Sequence, residues 1–267
     1  MGKTLTKAIL IATYNWPEAL ELTVKSVFTQ TDLPDEIIIA DDGSSSETKD
    51  LIDKLKQCSP IPLKHIWHPD MGFRLSAVRN KAMVACESDY LIQIDGDIIL
   101  DKRFVEDHME IAERGFFVSG KRAYIPKRES DLLLDNSNKS INFWKLKDKM
   151  QVVRLPHFCN FRRLSSALNP KKGIKGSNMA FWLNDIHKVN GYNEELEMWG
   201  LEDKEIAARL INNGILKKRV RYRCLSYHLH HKIASKDNLK KHREIFDNII
   251  LNKVKRCENG ISKFLKP

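Results

Sequence analysis

Apolar residues along this chain gather in short runs separated by stretches with a helical period. Residues 7–13 read Lys-Ala-Ile-Leu-Ile-Ala-Thr, 36–40 Glu-Ile-Ile-Ile-Ala, 63–67 Leu-Lys-His-Ile-Trp and 90–94 Tyr-Leu-Ile-Gln-Ile. Runs this short and this rich in β-branched residues predict buried strands. Between them, Leu20, Val24, Val27 and Phe28 recur at helical spacing, as do Leu51, Ile52 and Leu55. The predicted helices are 18–30, 47–57 and 75–85, the first entered through Pro17. Strand and helix alternate through roughly the first hundred residues, which predicts an α/β fold with a parallel sheet covered on both faces.

Beyond residue 120 the pattern weakens. Residues 121–172 mix Lys/Arg, Asn, Ser and scattered aromatics with no firm period; Leu132-Leu133-Leu134 and Phe143-Trp144 are the expected apolar anchors. A long irregular insertion in a compact domain is often functional. A loop then enters a strand over 173–182, and a short helix spans 183–189. Another helix opens at Glu202, carries Ile206, Ala207, Leu210 and Ile211, and closes at Asn213-Gly214. Residues 220–227 alternate like a strand and end in His228-Leu229-His230-His231. Residues 236–254 predict a basic amphipathic helix with Leu239, Ile245, Phe246, Ile249 and Ile250 on its apolar side.

The polar residues at the strand ends change the picture. The fourth strand runs into Asp95-Gly96-Asp97, the second into Asp41-Asp42-Gly43-Ser44 and the first into Thr13-Tyr14-Asn15. In a parallel sheet ligands bind beyond the carboxyl ends of the strands, so all three ends fall along one edge. Two unpaired carboxylates at the end of a buried strand repel each other and lose hydration. A hard divalent cation such as Mg²⁺ or Mn²⁺ removes both penalties; an exposed Asp-Gly turn is the alternative. Gly96 allows a tight turn or a close backbone approach. There is no GxGxxG and no GxxxxGK[ST], so the chain reads as neither a dehydrogenase nor a P-loop enzyme.

Composition adds three limits. An apolar content of 42% with 30% charged residues describes a globular chain of 267 residues, long enough to bury a core. No apolar run is long enough to span a bilayer, and the N-terminus predicts no signal peptide. Five widely spaced cysteines lack metal-finger or redox-motif spacing, which suits free thiols in a reducing cytoplasm. The net charge of +10 is concentrated after residue 213, where 15 Lys+Arg meet 4 Asp+Glu. Lys217-Lys218-Arg219, Arg221 and Arg223 form a patch suited to nucleic acid, anionic lipid or phosphorylated substrates, or simply to solvent.

Taken in order, the motifs resemble the inverting GT-A glycosyltransferases of family 2 with a galactosyltransferase-type C-terminal half, the kind typified by chondroitin polymerase and the β-1,4-galactosyltransferases. The matching pieces are Ile11-Ala12-Thr13-Tyr14-Asn15, Asp41-Asp42-Gly43-Ser44, Gly72-Phe73 with Ala77-Val78-Arg79-Asn80, and Asp95-Gly96-Asp97. They continue with Gly176-Ser177-Asn178-Met179, Trp199-Gly200-Leu201-Glu202-Asp203 and His228 to His231. The resemblance covers about residues 8–232. It implies a GT-A catalytic domain over 1–232: a nucleotide-binding half at 1–110, a variable insertion at 121–172, and an acceptor and metal half at 173–232. A basic helical tail would follow at 233–267.

The same resemblance implies roles. Thr13, Tyr14 and Asn15 would line the nucleotide pocket, Asp41 would accept from the uracil, and Asp42 would support that loop. Arg79 would approach the nucleotide or its phosphates. Asp95 would contact the ribose or the water shell of the metal, and Asp97 would bind the metal directly, with His231 first and His228 second as further ligands. Trp199 would close over the sugar, Glu202 would hold the acceptor, and Asp203 would be the catalytic base. Many members read Gly-Gly-Glu-Asp where this chain has Gly200-Leu201-Glu202-Asp203, and Leu201 gives this loop less backbone freedom.

The implied activity is transfer of a hexose or N-acetylhexosamine from a UDP-sugar to a hydroxyl of a glycan or lipid-linked saccharide, with Mn²⁺ or Mg²⁺, in surface-polysaccharide synthesis. The basic tail would rest on anionic lipid at the inner face of the membrane. A sugar-nucleotide nucleotidylyltransferase would want a glycine-rich basic signature after the first strand, which Thr13-Tyr14-Asn15-Trp16-Pro17 does not supply. A basic nucleic-acid-binding protein would use the tail but leave the acids at the strand ends unexplained, so no nucleic-acid partner is expected.

Overall fold

A computed structural model describes residues 5–135, 139–155, 167–198, 200–232 and 239–265. The first half alternates as its hydrophobic pattern predicts. Strands β1 (Lys7–Thr13), β2 (Glu36–Asp41), β3 (Leu63–Trp67) and β4 (Tyr90–Asp95) alternate with helices α1 (Pro17–Phe28), α2 (Ser46–Cys58) and α3 (Leu75–Val84). These four strands are parallel in the order β3-β2-β1-β4. Three further strands extend the sheet: β8 (Met179–Trp182), antiparallel to β4, then β6 (Phe116–Ser119) and β9 (Leu216–Arg219). The sheet is thus mostly parallel, with β8 the reversed strand.

Side chains of β1 alternate between two cores, as a strand buried on both faces requires. Ile9 and Ile11 join Leu20 and Val24 of α1, Ile52 of α2, and Phe104 and Val105 of α4 (Phe104–Ile111). Ala8 and Leu10 face the other way, onto Val78 and Ala82 of α3. The same core takes Ile186 of α6 (Leu183–Val189) and Ile206 and Leu210 of α7 (Glu202–Asn212). The register sets Thr13 beside Asp41 and Ala12 beside Asp95, so the strand-end acids share one edge.

A second, three-stranded sheet takes β5 (Ile98–Leu100), β10 (Ser226–His228) and β7 (Ala123–Tyr124), in the order β5-β10-β7. Here the sequence reading needs correction. Residues 220–227 are not one strand: Tyr222 and Cys224 take φ of 68° and 52°, which no strand tolerates, and the chain passes from β9 in the large sheet to β10 in the small one. The segment 121–172 also has more order than its sequence suggests. It carries β7, helix α5 (Lys127–Asp135) and short 3-10 turns, and Leu133 is buried among Ala123, Ile125, Leu146, Val152, Leu225 and Leu229. Trp144, expected as an anchor, is 77% exposed.

Lys217 and Lys218 are also not surface residues. Both lie in β9 and are buried. Lys217 Nζ donates to the carbonyls of Asn169 and Lys172 at 2.5 and 2.7 Å, and Lys218 Nζ donates to the Ile111 carbonyl at 3.0 Å and pairs with Glu113. They close loop ends instead of facing a membrane.

The C-terminal segment packs on the body through α8 (Leu239–Leu251), whose Phe246 and Ile249 cover Ala208 of α7. Helix α7 is further fixed by Arg209, fully buried with Glu205. Its Nε donates to Glu205 at 2.9 Å, and Nη2 donates to the Gly191 carbonyl at 2.8 Å. Replacing Arg209 by Met strands the Glu205 carboxylate in the core. The expected loss is about 3–5 kcal/mol, read as a lower urea midpoint; a loss below about 1 kcal/mol would show that the pair is dispensable.

Candidate active site

The Asp95-Gly96-Asp97 turn is shaped by the end of β1. The Gly96 N–H donates to the Ala12 carbonyl at 2.7 Å, and a Cβ at residue 96 would sit 3.0 Å from that oxygen. Glycine therefore eases a close approach to backbone here. Beyond the turn, β5 pairs antiparallel with β10, matching Ile98 with His228, and the Leu229 N–H donates to the Asp97 carbonyl at 3.0 Å. The small sheet thereby carries the histidines to the acid.

Asp97 Oδ2 lies 3.1 Å from His231 Nε2 and 3.4 Å from His228 Nε2. One ligand atom from each of the three residues falls within 4.8 Å of the others, while His230 is exposed and outside the group. The Trp16 ring meets His231 edge-on and the Tyr124 ring lies against His228. Burial lowers the His228 pKa to about 4, which keeps its imidazole neutral and able to ligate. Buried Asp97 Oδ1 and His228 Nδ1 find no hydrogen-bond partner among the described residues. An orphan carboxylate oxygen beside two imidazoles fits a divalent ion, and a mixed N/O set suits Mn²⁺ as well as Mg²⁺.

Asp95 takes a different place. Arg79 Nη2 donates to Asp95 Oδ1 at 3.0 Å, and Nη1 donates to Asp203 Oδ1 at 3.3 Å. Arg79 is only 1% exposed, so its charge is spent on these two acids. Burial and the Asp97 charge outweigh the pull of Arg79 and push Asp95 up to about 6. Arg122 Nη1 stands 3.9 Å from the other Asp95 oxygen and contacts the Ser177 hydroxyl.

Asp203 lies in the first turn of α7 and rests against Gly176, where a Cβ would collide with its carboxylate. Tyr192 Oη stands 3.2 Å from Asp203 Oδ1 and 2.9 Å from Gln93 Oε1, so its single proton serves one of them at a time. The turn carrying Tyr192 is clamped by Asn80, which accepts from the Tyr192 N–H at 2.8 Å and donates to the Tyr192 carbonyl at 2.9 Å. The neighbouring Arg79 and Asn80 thus hold Asp203, directly and through Tyr192. Tyr192, Gln93 and Arg122 were not expected from the sequence; only the fold brings Tyr192 to Asp203, Gln93 to Tyr192 and Arg122 to Asp95.

Glu202 is 6% exposed and Oε2 accepts from the Gly200 N–H at 2.9 Å. Leu201, before it, takes φ 71°, a left-handed conformation that favours glycine. Its side chain packs toward Ala208, Phe246 and Ile249, and the His242 Nδ1–H donates to the Gly200 carbonyl at 2.7 Å. Helix α8 therefore backs this loop. Trp199 lies outside the described residues.

On the remaining edge, Asp41 is fully buried; Oδ1 accepts from the Ser44 N–H at 2.8 Å and Oδ2 meets His65 Nε2 at 2.9 Å. Burial pushes its carboxyl up, but these bonds outweigh it and leave it below the usual range. Asp42 Oδ1 meets His68 Nε2 at 2.6 Å and Oδ2 accepts from the Arg74 N–H at 2.9 Å, holding the loop between β3 and α3. Thr13 is buried, Tyr14 is exposed with its hydroxyl donating to Asp70, and Asn15 Oδ1 accepts from the Ser45 N–H at 2.8 Å.

With this geometry in view, the comparisons are specific. Residues 8–168 match the family described as glycosyl transferase family 2, and 156–232 match one described as the N-terminal domain of galactosyltransferase. The first match covers more than half of the chain, and the chain belongs to glycosyl transferase family 2. It is 26% identical over 237 residues to the chondroitin synthase of Escherichia coli, covering 83% of this chain and 34% of that protein. The chain thus spans about a third of that relative's length. It is 27% identical over 191 residues to the UDP-Glc:alpha-D-GlcNAc-diphosphoundecaprenol beta-1,3-glucosyltransferase WfaP of E. coli, covering 68% and 70%. The solved structure of S. aureus TarS 1–349 in complex with UDP-GlcNAc superposes with a TM-score of 0.65 at 14% identity, covering 93% of this chain and 67% of that one. The fold is GT-A.

Burial and the Asp203 charge push Glu202 up to about 7. Since an unfolded glutamate titrates near 4.3, the folded protein binds more protons between about 4.3 and 7, and its stability falls as pH rises through that window. Glu202→Gln removes the penalty: it should be more stable than the wild type at pH 8, by up to about 3 kcal/mol and with a higher thermal midpoint, and should match it near pH 4.5. Equal midpoints at pH 8 would show that the carboxylate is not penalised.

Proposed function

We propose that this chain is a metal-dependent inverting transferase that moves a hexose or N-acetylhexosamine from a UDP-sugar to a hydroxyl of a glycan or lipid-linked saccharide, in surface-polysaccharide synthesis. One observation carries the reading: the Asp97–His228–His231 group and the Asp203 carboxylate stand on one rim, joined through Asp95 and Arg79. The UDP-GlcNAc complex of a protein with the same fold, and the lipid-diphosphate sugar in the name of a relative, support the donor and acceptor classes.

In this reading Thr13, Tyr14, Asn15, Asp41 and Asp42 line the nucleoside pocket, within a nucleotide-binding half at 1–110. Asp97, His231 and His228 hold Mn²⁺ or Mg²⁺, with Asp95 at the ribose or behind the ligands. The ion, when bound, supplies positive charge against the nucleoside diphosphate that leaves. Asp203 takes the proton of the attacking acceptor hydroxyl as the new glycosidic bond forms and the sugar–phosphate bond breaks. A single displacement inverts the anomeric carbon and needs no enzyme nucleophile. Arg79, expected near the nucleotide or its phosphates, acts in this reading through the two acids it holds, and Tyr192 orients the base. Glu202 holds the acceptor while its bond to Gly200 fixes the loop, and Trp199 closes over the sugar.

Among the described residues no helix is long and apolar enough to cross a membrane. A cytoplasmic location at the inner face of the membrane fits the lipid-linked acceptor, with exposed Lys240, Lys241 and Arg243 of α8 toward anionic lipid.

The test is a panel of UDP-sugars assayed with Mn²⁺. Turnover of at least one should vanish on chelation and return with Mn²⁺. Asp203→Asn should lower it by about 10²–10⁴ while UDP-sugar affinity survives. Activity that persists in Asp203→Asn would remove the base, and turnover indifferent to chelation would remove the metal.

A further inference from the structure

Outside the residues given roles so far, four cations gather at one end of the main sheet. Strands β6 and β9 run parallel with Ser119 opposite Arg219, so Lys121 and Arg221 lie just beyond their neighbouring carboxyl ends. Arg219 lies across Gly173, where a Cβ would come within 2.8 Å of its Nε, and Lys175 follows two residues later. Burial pushes the Lys121 ammonium down, and the charges of Arg219, Arg221 and Lys175 push it further. Among the charges that bear on it most, only Asp148 is acidic. Like charges held this close repel, and an anion between them relieves the repulsion.

Two of the four cations are next in sequence to residues that touch Asp95 and Asp203. Lys121 precedes Arg122, which reaches Asp95 and Ser177. Lys175 precedes Gly176, which abuts the Asp203 carboxylate. The donor diphosphate belongs at the Asp97 end in the reading above, so this cluster is left for a second anion, on the side of the base.

We propose that Lys121, Lys175, Arg219 and Arg221 form an acceptor subsite that binds phosphate, namely the diphosphate of a lipid-linked saccharide. The inference rests on the transferase reading. Guanidinium and ammonium groups together match a compact polyanion better than a lone carboxylate, because several donors share its oxygens. Bound there, the diphosphate would set the acceptor sugar beside Asp203. The phosphates of a bilayer surface offer the same chemistry, and the test separates the two.

Geranyl diphosphate is titrated into the full chain saturated with UDP and Mn²⁺, for the wild type and for Lys121→Gln/Arg221→Gln. The double variant should bind it at least about tenfold more weakly, with UDP affinity equal in both proteins as the check on folding. Equal geranyl diphosphate affinities, or geraniol binding as tightly as its diphosphate, overturn the subsite. Vesicles of phosphatidylcholine with and without phosphatidylglycerol are the second probe. If the variant loses vesicle binding but keeps its geranyl diphosphate affinity, the cluster serves a bilayer and the acceptor subsite is overturned. A wild type that fails to bind UDP overturns the transferase reading instead; the geranyl diphosphate comparison, made without nucleotide, then decides the cluster by itself.

Discussion

The site depends on one buried guanidinium. Arg79 is almost wholly removed from water, and a charge so placed must be met by opposite charge. It is met by Asp95 at the end of β4 and Asp203 at the start of α7, two elements far apart in the chain. Arginine suits the task because its planar fork reaches two acceptors at once, which a lysine point charge does not. The bridge fixes the distance between the Asp97–His228–His231 group and the Asp203 carboxylate. Asn80, the next residue, repeats the device with the backbone around Tyr192.

Two peripheral elements make the rim complete. The small sheet exists to bring β10 against β5, which delivers His228 and His231 to Asp97. Helix α8 packs behind Gly200 and Leu201 and supports a left-handed residue that a glycine would take without strain. Strain of this kind is on the order of 1–3 kcal/mol and persists only where packing over-determines it. The leucine side chain supplies that packing, so the loop before Glu202 and Asp203 is set by contacts made by the C-terminal segment.

Much of this was legible in the sequence. The apolar runs predicted β1 to β4 because strands buried on both faces read as continuous hydrophobic stretches, and the polar ends of β1, β2 and β4 share one edge as expected. The resemblance assembled Asp97, His228 and His231 correctly as neighbours. The rest was hidden for identifiable reasons. Strand β9 reads Leu-Lys-Lys-Arg, and no periodicity announces that two of its lysines are buried to satisfy carbonyls. The turn between β9 and β10 depends on φ values at Tyr222 and Cys224 that no residue preference signals. That Arg79 bridges Asp95 and Asp203 was not legible, because these two acids meet only in the folded chain.

The division of the rim into a metal end and a base end is tested most directly by titrating Mn²⁺ into the UDP complex and following free Mn²⁺ by electron paramagnetic resonance. Wild type and Asp203→Asn should bind the ion equally, whereas Asp97→Ala and His231→Ala should each weaken it by about 10–100-fold or more. Unchanged Mn²⁺ affinity in Asp97→Ala, or a loss in Asp203→Asn as large as in Asp97→Ala, would contradict that division.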